Sequence, residues 1–261
     1  METTTTCSRF RQLHFQAKPL LLATIWDARS AATSQALGFA AVGTSSAAIA
    51  AMLGYPDGEQ LPFAELRYLV GRICASITLP VSVDLEGGYS RHPAQIARHI
   101  QELAALGVTG INLEDSVQTA NGQRQQLPAA DFAATLRNVR AELAGQQVSV
   151  FINARTDTYL LGHVSPLADT LRRTQRYAAA GADGIFVPGL TSLADIHELC
   201  QATTLPVNVM ALPDLPDVGA LAAAGVRRIS MGNFLFEALT ARQVQLSQQI
   251  RHEQAFTALF A

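Results

Sequence analysis

The chain has 261 residues, of which 49% are hydrophobic and 15% are charged, and this is enough apolar material for one large α/β domain. The net charge is −2 and the basic residues are scattered, which argues against a nucleic-acid-binding surface and a polybasic membrane contact. The three cysteines lie far apart and the N-terminus METTTTCSRF lacks an apolar signal segment, so we expect a cytoplasmic protein with reduced thiols and no membrane span.

Eight short apolar segments rich in β-forming residues predict eight strands. In chain order they are 20–26, 40–45, 79–86, 108–115, 148–156, 183–189, 205–211 and 226–232. Their apolar residues run almost without interruption, which is typical of strands that are buried on both faces of a parallel sheet.

Between these strands, apolar residues at helical spacing predict amphipathic helices, most clearly over 93–106, 131–144 and 166–180. Pro93 and Pro166 stand at predicted first turns, where proline is tolerated. Glycines follow the predicted helix ends, where a left-handed residue often closes the last turn. These glycines are Gly107, Gly145, Gly181 and Gly225.

Eight strands alternating with helices over about 250 residues predict a (β/α)8 TIM barrel. A doubly wound open sheet is the alternative, but such a sheet often carries a glycine-rich phosphate loop after its first strand. This chain has WDARSA at that point. We expect a single barrel domain over 1–261, with an N-terminal extension at 1–17. The C-terminal helical segment 233–261 would pack on the barrel or reach a neighbouring subunit.

Acidic residues collect where the predicted strands end, and barrel active sites lie at the carboxyl ends of the strands. The acids concerned are Asp57, Asp84, Glu86 and Glu114. These carboxylates would repel one another without a cation, and hard oxygen ligands favour Mg²⁺, with Mn²⁺ also suitable. Asp27 and Asp115 also follow strands, and a helix-capping or loop role is an equal alternative for both.

Two other strand ends favour an anionic ligand beside this metal. The sequence NARTD places Arg155 there, and a guanidinium binds a planar carboxylate in bidentate fashion. The GTSS turn offers hydroxyl and backbone N–H donors from Gly43, Thr44, Ser45 and Ser46. Metal, arginine and N–H donors together indicate an α-oxo acid whose enolate oxygen is stabilised as it develops.

Several stretches, in matching order, resemble the isocitrate lyase/phosphoenolpyruvate mutase superfamily. They are LGYPDGE, VSVDLEGGYS, GINLEDS, NARTDTYL, GADGIFVPGL, LPVNVM and RISMGNFLF, and they extend from about Trp26 to Leu239. The resemblance implies a (β/α)8 barrel whose eighth helix is exchanged between the subunits of a homodimer or homotetramer. It also implies Mg²⁺, an oxo-acid or phosphonate substrate, and the making or breaking of a C–C or P–C bond.

The resemblance further implies a role for each matching residue. Asp84 would be the direct metal ligand, and Asp57, Glu86 and Glu114 would hold metal-bound waters. Ser45 and Ser46, with their turn, would bind the substrate carboxylate. The pocket would also be lined by Trp26, Arg155 and Asn208. The candidate catalytic residues are Arg155, Glu114 and Asn121.

The chain departs from the family pattern at two points. The second acid of the strand-three motif is often aspartate, whereas here it is Glu86. Lyase members carry a KKCGH-type loop after strand four, whereas segment 116–127 reads SVQTANGQRQQL and has no Cys, Lys or His. Phosphonomutases instead place an asparagine in a longer loop, and Asn121 lies in the corresponding region.

These features predict a Mg²⁺-dependent lyase or phosphonomutase-type enzyme that acts on a small α-oxo acid through an enolate. Its reaction would resemble that of carboxyvinyl-carboxyphosphonate phosphorylmutase, or the decarboxylation or hydrolysis of oxaloacetate. The alternatives are an aldol cleavage of the (methyl)isocitrate lyase type and a non-catalytic oxo-acid-binding barrel.

Overall fold

The computed structural model describes residues 2–119 and 121–260, and at its centre eight parallel strands close into a barrel. In chain order the strands are β1 (Leu20–Ile25), β2 (Val42–Thr44), β3 (Val81–Asp84), β4 (Val108–Glu114), β5 (Ser116–Gln118), β6 (Arg124–Gln126), β7 (Phe151–Arg155), β8 (Gly184–Phe186), β9 (Val207–Met210) and β10 (Arg228–Ser230). The order around the barrel is β1-β2-β3-β4-β7-β8-β9-β10, and β5 and β6 form a separate antiparallel hairpin. All eight predicted strands are present, so the (β/α)8 prediction is confirmed.

Helices follow the barrel strands, cover the outside of the sheet and extend at both ends of the chain. They are α1 (Glu2–Leu13), α2 (Ala28–Ala36), α3 (Ser46–Leu53), α4 (Phe63–Cys74), α5 (Pro93–Ala105), α6 (Ala129–Gly145), α7 (Pro166–Ala179), α8 (Leu193–Gln201), α9 (Val218–Ala224) and α10 (Phe234–Glu253), with a 3-10 turn at Thr257–Leu259. The three helices that the sequence predicts most clearly correspond to α5, α6 and α7.

The helices begin at residues whose side chains favour a first turn, and these residues can be recognised in the sequence. Asp27 and Ser30 form a capping box at the start of α2, with 2.7 Å between the Ser30 N–H and Asp27 Oδ1. Asp27 is therefore a helix cap, one of its two expected roles. Pro93 and Pro166 occupy the first turns of α5 and α7, as predicted.

Helix ends follow the glycine prediction with one exception. Gly107, Gly181 and Gly225 have φ values of 102°, 94° and 102° and turn the chain toward the next strand. Gly145 is the last residue of α6, as predicted, but it is not left-handed, and Gln147 takes that conformation instead, with a φ of 55°.

The N-terminal extension forms α1, which closes the end of the barrel where the strands begin. Phe10 and Leu13 pack with Leu22 and Phe151 in a separate apolar cluster, and the rings of Phe10 and Phe151 meet edge to face at 5.7 Å. Gly110 permits this approach, since a Cβ there would lie 2.5 Å from the Phe10 ring. Any ligand must therefore enter from the opposite end.

Helix α10 has no buried residue, although it carries Phe234, Leu235, Leu239 and Val244 in exposed positions. Apolar side chains left exposed along one helix favour contact with another surface. Of the helices in the described ranges, α10 included, none combines the length and the apolar character that crossing a membrane requires.

Candidate active site

The carboxyl ends of the barrel strands open onto a cavity of about 150 Å³. Seven of the residues that the sequence predicts for the site line it: Gly43, Thr44, Ser45, Ser46, Asp57, Asp84 and Arg155. Other residues that line the cavity were not predicted, among them Asn112 on β4 and Arg228 on β10. Prediction from strand ends misses such residues because they lie deeper in the barrel, below the last residue of each strand.

Asp84 ends β3 and is 9% exposed. Its Oδ2 accepts the Ser46 hydroxyl at 2.8 Å and the Ser46 N–H at 3.4 Å, while its own N–H donates to the Thr44 hydroxyl at 2.9 Å. Its Oδ1 is buried and has no hydrogen-bond partner among the described residues. A buried carboxylate with one free oxygen is well suited to bind a cation, because an unpaired buried charge is costly.

The GTSS turn leads into helix α3, whose N-terminus faces the cavity. Ser45 caps this helix by accepting the Ala48 N–H at 3.2 Å, and the hydroxyl of Ser46 is bonded to Asp84. The Ser46 hydroxyl proton is therefore already donated within the protein, whereas the Ser45 hydroxyl accepts a bond and keeps its own proton for a ligand. The first backbone N–H groups of the helix favour a negative charge in the cavity, which suits a substrate carboxylate or enolate oxygen.

Glu86 lies beyond the end of β3, so the expectation that Asp84 and Glu86 follow one regular strand is wrong. The Glu86 backbone is left-handed, with a φ of 52°, and its carboxylate accepts the Glu59 N–H at 2.8 Å and the Tyr89 hydroxyl at 3.3 Å. Burial, reinforced by the charge of Asp84, raises the pKa of Glu86 to about 8. Burial and the neighbouring carboxylates thus both favour the protonated form of Glu86.

Glu114 and Arg155 are aligned by strand register, since they are direct partners in the pairing of β4 with β7. Their side chains meet at 3.0 Å between Oε2 and Nη1. Arg155 also donates two hydrogen bonds to the Asp157 carboxylate, from Nε to Oδ1 at 2.7 Å and from Nη2 to Oδ2 at 3.2 Å. Burial raises the pKa of Glu114 to about 7 against the opposing effect of Arg155. Burial acts to raise the pKa of Asp157 as well, but Arg155 brings it below its ordinary value.

The β5–β6 hairpin brings a second guanidinium, that of Arg124, which the sequence analysis missed. Its Nη1 lies 2.5 Å from Glu114 Oε1, 3.0 Å from Ser116 Oγ and 3.1 Å from Asp157 Oδ2. Its Nη2 is 3.7 Å from the Asp57 carboxylate. The one cation of segment 116–127 is thus directed into the acidic mouth of the barrel, which only the hairpin fold reveals.

Asp115 points away from the cavity into a buried polar cluster, so of its two expected roles the structural one holds. Its Oδ2 accepts the Tyr177 hydroxyl at 2.7 Å, the Thr156 hydroxyl at 2.8 Å and the Arg173 guanidinium at 3.1 Å. Gln126 of β6 donates to both of its carboxylate oxygens at 3.0 Å. Asp115 therefore anchors the hairpin to α7.

Three predicted site residues lie elsewhere, and their functional roles stay predictions. Trp26 borders a separate groove between α2 and α10 and meets the Phe236 ring at 5.3 Å. Asn208 is buried inside the barrel, where its Oδ1 accepts Asn153 Nδ2 at 3.0 Å. Asn121 is exposed in the turn of the β5–β6 hairpin.

The donor set fits a divalent cation bound by one carboxylate and several waters. Five carboxylates gather at the mouth against the guanidinium groups of Arg124 and Arg155; they belong to Asp57, Asp84, Glu86, Glu114 and Asp157. Within the described part of the chain, no three His, Cys, Asp or Glu side chains come close enough to form a complete metal cage. Mg²⁺ usually keeps several waters and takes one or two carboxylates, so the free Asp84 Oδ1 is the fitting direct ligand.

Comparison with known proteins gives consistent similarities. The model of the family described as phosphoenolpyruvate phosphomutase matches residues 10–251. An uncharacterised Mycobacterium tuberculosis protein is 35% identical, over 88% of this chain and 83% of its own length. An oxaloacetate decarboxylase of a Bradyrhizobium species is 32% identical, over 87% of this chain and 78% of its own length. A Burkholderia cenocepacia J2315 structure described as a phosphonomutase has a TM-score of 0.88 and 39% identity, over 94% of this chain and 99% of that one.

Proposed function

Because the chain belongs to the phosphoenolpyruvate phosphomutase family, within the phosphoenolpyruvate mutase/isocitrate lyase superfamily of enzymes, we propose that it is a Mg²⁺-dependent enzyme acting on a small α-oxo acid through an enolate. The leading reaction is the decarboxylation of oxaloacetate or its hydrolysis. Similarity to named oxaloacetate decarboxylases over most of the chain favours this reaction class.

The observation that carries the proposal is the free carboxylate oxygen of Asp84, buried in a cavity that Arg155 also lines. Asp84 would hold Mg²⁺ directly, and Asp57, Glu86 and Glu114 would hold its waters; Mn²⁺ suits the same oxygen donors. When bound, the metal would polarise the oxo group and stabilise negative charge as it develops on that oxygen.

The chain itself supplies orientation and charge. Arg155 uses the N–H of Nε and one N–H of Nη2 on Asp157, and its Nη1 lies 3.0 Å from Glu114 Oε2 in an ion pair that is not a hydrogen bond, so N–H groups remain on both terminal nitrogens for a substrate carboxylate. The N-terminus of α3 presents backbone N–H groups to the same cavity. Loss of CO₂ needs no base from the protein, so stabilising the charge that remains on the oxo acid is the main catalytic task.

A phosphonomutase reaction is the second candidate, because a structure described as a phosphonomutase is 39% identical and covers nearly the whole chain. An aldol cleavage of the lyase type is less favoured, since segment 116–127 has no cysteine and forms a short hairpin held by Arg124. The named enzymes among the relatives also count against a non-catalytic binding barrel.

The deciding experiment is a screen of α-oxo acids and phosphonates with Mg²⁺, in which pyruvate, CO₂, oxalate and phosphate are measured and rearrangement of each phosphonate is followed by ³¹P NMR. We expect pyruvate and CO₂ from oxaloacetate at a rate above that of Mg²⁺ alone. If a phosphonate rearranges without release of phosphate and oxaloacetate is not turned over, the phosphonomutase reaction is assigned instead. No turnover of any substrate would contradict the enzymatic proposal.

The metal assignment has its own test in Asp84→Asn. We expect turnover to be abolished and Mn²⁺ binding, measured by titration calorimetry, to weaken by at least about 100-fold, because the one direct carboxylate ligand is lost. Asp27→Asn is the matched control, since Asp27 caps α2 and should leave Mn²⁺ binding unchanged. An Asp84→Asn protein that binds Mn²⁺ as tightly as the wild type would contradict the assignment.

We also propose a cytoplasmic homodimer or homotetramer in which α10 is exchanged between subunits. The support is the exposed apolar side chains of α10 and the apolar groove that Trp26, Leu37 and Phe39 line beside it. A second copy of the helix would cover that groove.

A further inference from the structure

Below the acids at the mouth, the barrel interior carries a polar layer where apolar side chains are usual. Its members are Ser82, Asn112, Asn153, Asn208 and Arg228, all buried. Asn153 links the layer by donating to the Asn112 and Asn208 side-chain oxygens, both at 3.0 Å. A polar layer in a barrel core is costly unless every group is paired, so any unpaired member needs an explanation.

Arg228 is the member that keeps unpaired nitrogen atoms. Its side chain is 1% exposed and lines the floor of the cavity. One terminal nitrogen, Nη2, makes long hydrogen bonds to Asn112 Oδ1 at 3.3 Å and Ser82 Oγ at 3.4 Å. The other, Nη1, and Nε have no hydrogen-bond partner among the described residues. Burial lowers the pKa of Arg228 to about 9, and only the charge of Asp84 opposes it.

Asp84 and Arg228 therefore line one cavity, and the carboxylate of the first and the guanidinium of the second each keep buried atoms without a hydrogen-bond partner. They do not pair with each other, since no described carboxylate lies within ion-pair distance of Arg228. Replacing a buried charged group by a well-packed apolar side chain is often neutral or stabilising, so stability of the fold does not account for this guanidinium. Because Arg228 lies close to the end of the barrel where the proposed reaction takes place, its unpaired N–H groups point instead to a bound anion as their hydrogen-bond acceptor.

We propose that Arg228 anchors one carboxylate of the substrate at the floor of the cavity, through Nε and Nη1, while Arg155 binds a second anionic group nearer the mouth. This inference rests on the proposed function in taking an oxo acid as the ligand, and it narrows the substrate class. A cavity with a guanidinium at each of two levels is matched by an oxo acid with two anionic groups rather than by a monocarboxylate.

The test is ligand binding by Arg228→Met, which keeps the length of the side chain and removes its charge. Oxalate, a small dianion, is titrated in the presence of Mg²⁺, and Mn²⁺ is titrated alone. We expect oxalate to bind about 10- to 100-fold more weakly, the range for a lost hydrogen bond to a charged group. Mn²⁺ should bind as tightly as before or more tightly, because a nearby positive charge is gone.

Arg227→Met is the matched control, because Arg227 is the chain neighbour and donates outside the cavity to the Gln16 carbonyl at 3.0 Å. It should bind oxalate like the wild type. We also expect Arg228→Met to be at least as resistant to thermal unfolding as the wild type, which a merely structural arginine would not allow. A folded Arg228→Met that binds oxalate within twofold of the wild type would overturn the inference.

A crystal structure of the wild type with Mg²⁺ and oxalate gives a test that does not depend on a variant. An oxalate oxygen within about 3.2 Å of Arg228 Nε or Nη1 supports the anchor. Oxalate bound with Arg228 beyond hydrogen-bond distance would refute it. The titrations and the crystal structure do not require an active enzyme. If oxalate binding depends on Arg228 but no oxo acid is turned over, the proposed function is overturned and the anchoring role of Arg228 still holds.

Discussion

Arg124 of β6 and Glu114 of β4 form an ion pair, with 2.5 Å between Nη1 and Oε1, that ties the β5–β6 hairpin to the mouth of the barrel. The same guanidinium reaches Asp157 and Asp57, so one side chain from the hairpin offsets three of the acids around the cavity. The position of the hairpin and the charge of the cavity are therefore coupled.

Arg124→Met should lower kcat/KM for the oxo acid by about 10- to 100-fold, because it loosens the hairpin and leaves Glu114 and Asp157 with Arg155 as their remaining cation. Steady-state kinetics with the best substrate from the screen would measure the change. Gln125→Met, at the exposed neighbouring position of β6, should match the wild type. Equal kcat/KM in both variants would show that the Arg124 ion pairs have no part in the reaction.

Arg155→Lys keeps the positive charge at this position and should still raise the KM for the oxo acid by about 10-fold or more. Lysine cannot hold Asp157 by two nitrogens and still direct planar donors at a carboxylate. The control is Arg98→Lys on the exposed face of α5, which should leave the KM unchanged. An unaltered KM in Arg155→Lys would argue against bidentate binding of the substrate.

Asp115→Ala should reduce the free energy of unfolding by about 3 to 5 kcal/mol, because it removes the shared acceptor of the buried Tyr177 and Thr156 hydroxyls and one of the two carboxylates that pair with Arg173, the other being Asp169. Urea denaturation followed by circular dichroism would measure this loss. Asp131→Ala, at an exposed position in the first turn of α6, should change the unfolding free energy by less than about 1 kcal/mol. Similar values for the two variants would mean that the cluster around Asp115 contributes little.

His14 should make stability depend on pH. Burial, aided by the positive charge of Arg228, lowers the pKa of His14 from 6.5 to about 3. Between these values the unfolded chain binds a proton that the folded protein does not, so stability is lost as the pH falls, by about 1.4 kcal/mol per pH unit.

His14→Gln removes the titrating group, so its unfolding free energy should fall less steeply than that of the wild type between pH 6.5 and 4. Urea denaturation at a series of pH values would compare the slopes. The exposed His197 of α8 supplies the control, and His197→Gln should keep the wild-type slope. If the unfolding free energy of His14→Gln falls with pH as steeply as that of the wild type, burial does not keep the His14 imidazole neutral.

Leu239→Asp should shift the oligomer toward monomers, because Leu239 is 53% exposed on α10 and a charge there opposes burial against a second subunit. Light scattering coupled to size-exclusion chromatography would give the mass. Gln245→Asp on the same helix adds the same charge at an exposed polar position and should keep the wild-type mass. A wild-type protein that is monomeric at micromolar concentration would contradict the exchange of α10.

The barrel and most of the residues around its open end are predictable from the order of residues along the chain. Buried parallel strands need apolar residues on both faces, and the helices between them need an apolar stripe. The alternation of strands and helices can therefore be recognised from the pattern of apolar residues. Because a barrel brings all its strand ends to one rim, the order of the strands alone predicts that Asp84, Arg155 and the turn at Ser45 lie together.

The tertiary structure decided which polar groups are paired, because pairing depends on contacts between residues far apart in the chain. Asp115 and Glu114 are adjacent in sequence, yet one faces the cluster around Tyr177 and the other the cavity, where Arg124 meets it. Arg228 stands in the middle of the RRIS stretch with nothing local to distinguish it from Arg227. Only the closed barrel buries Arg228 with two of its nitrogens unpaired and turns Arg227 outward.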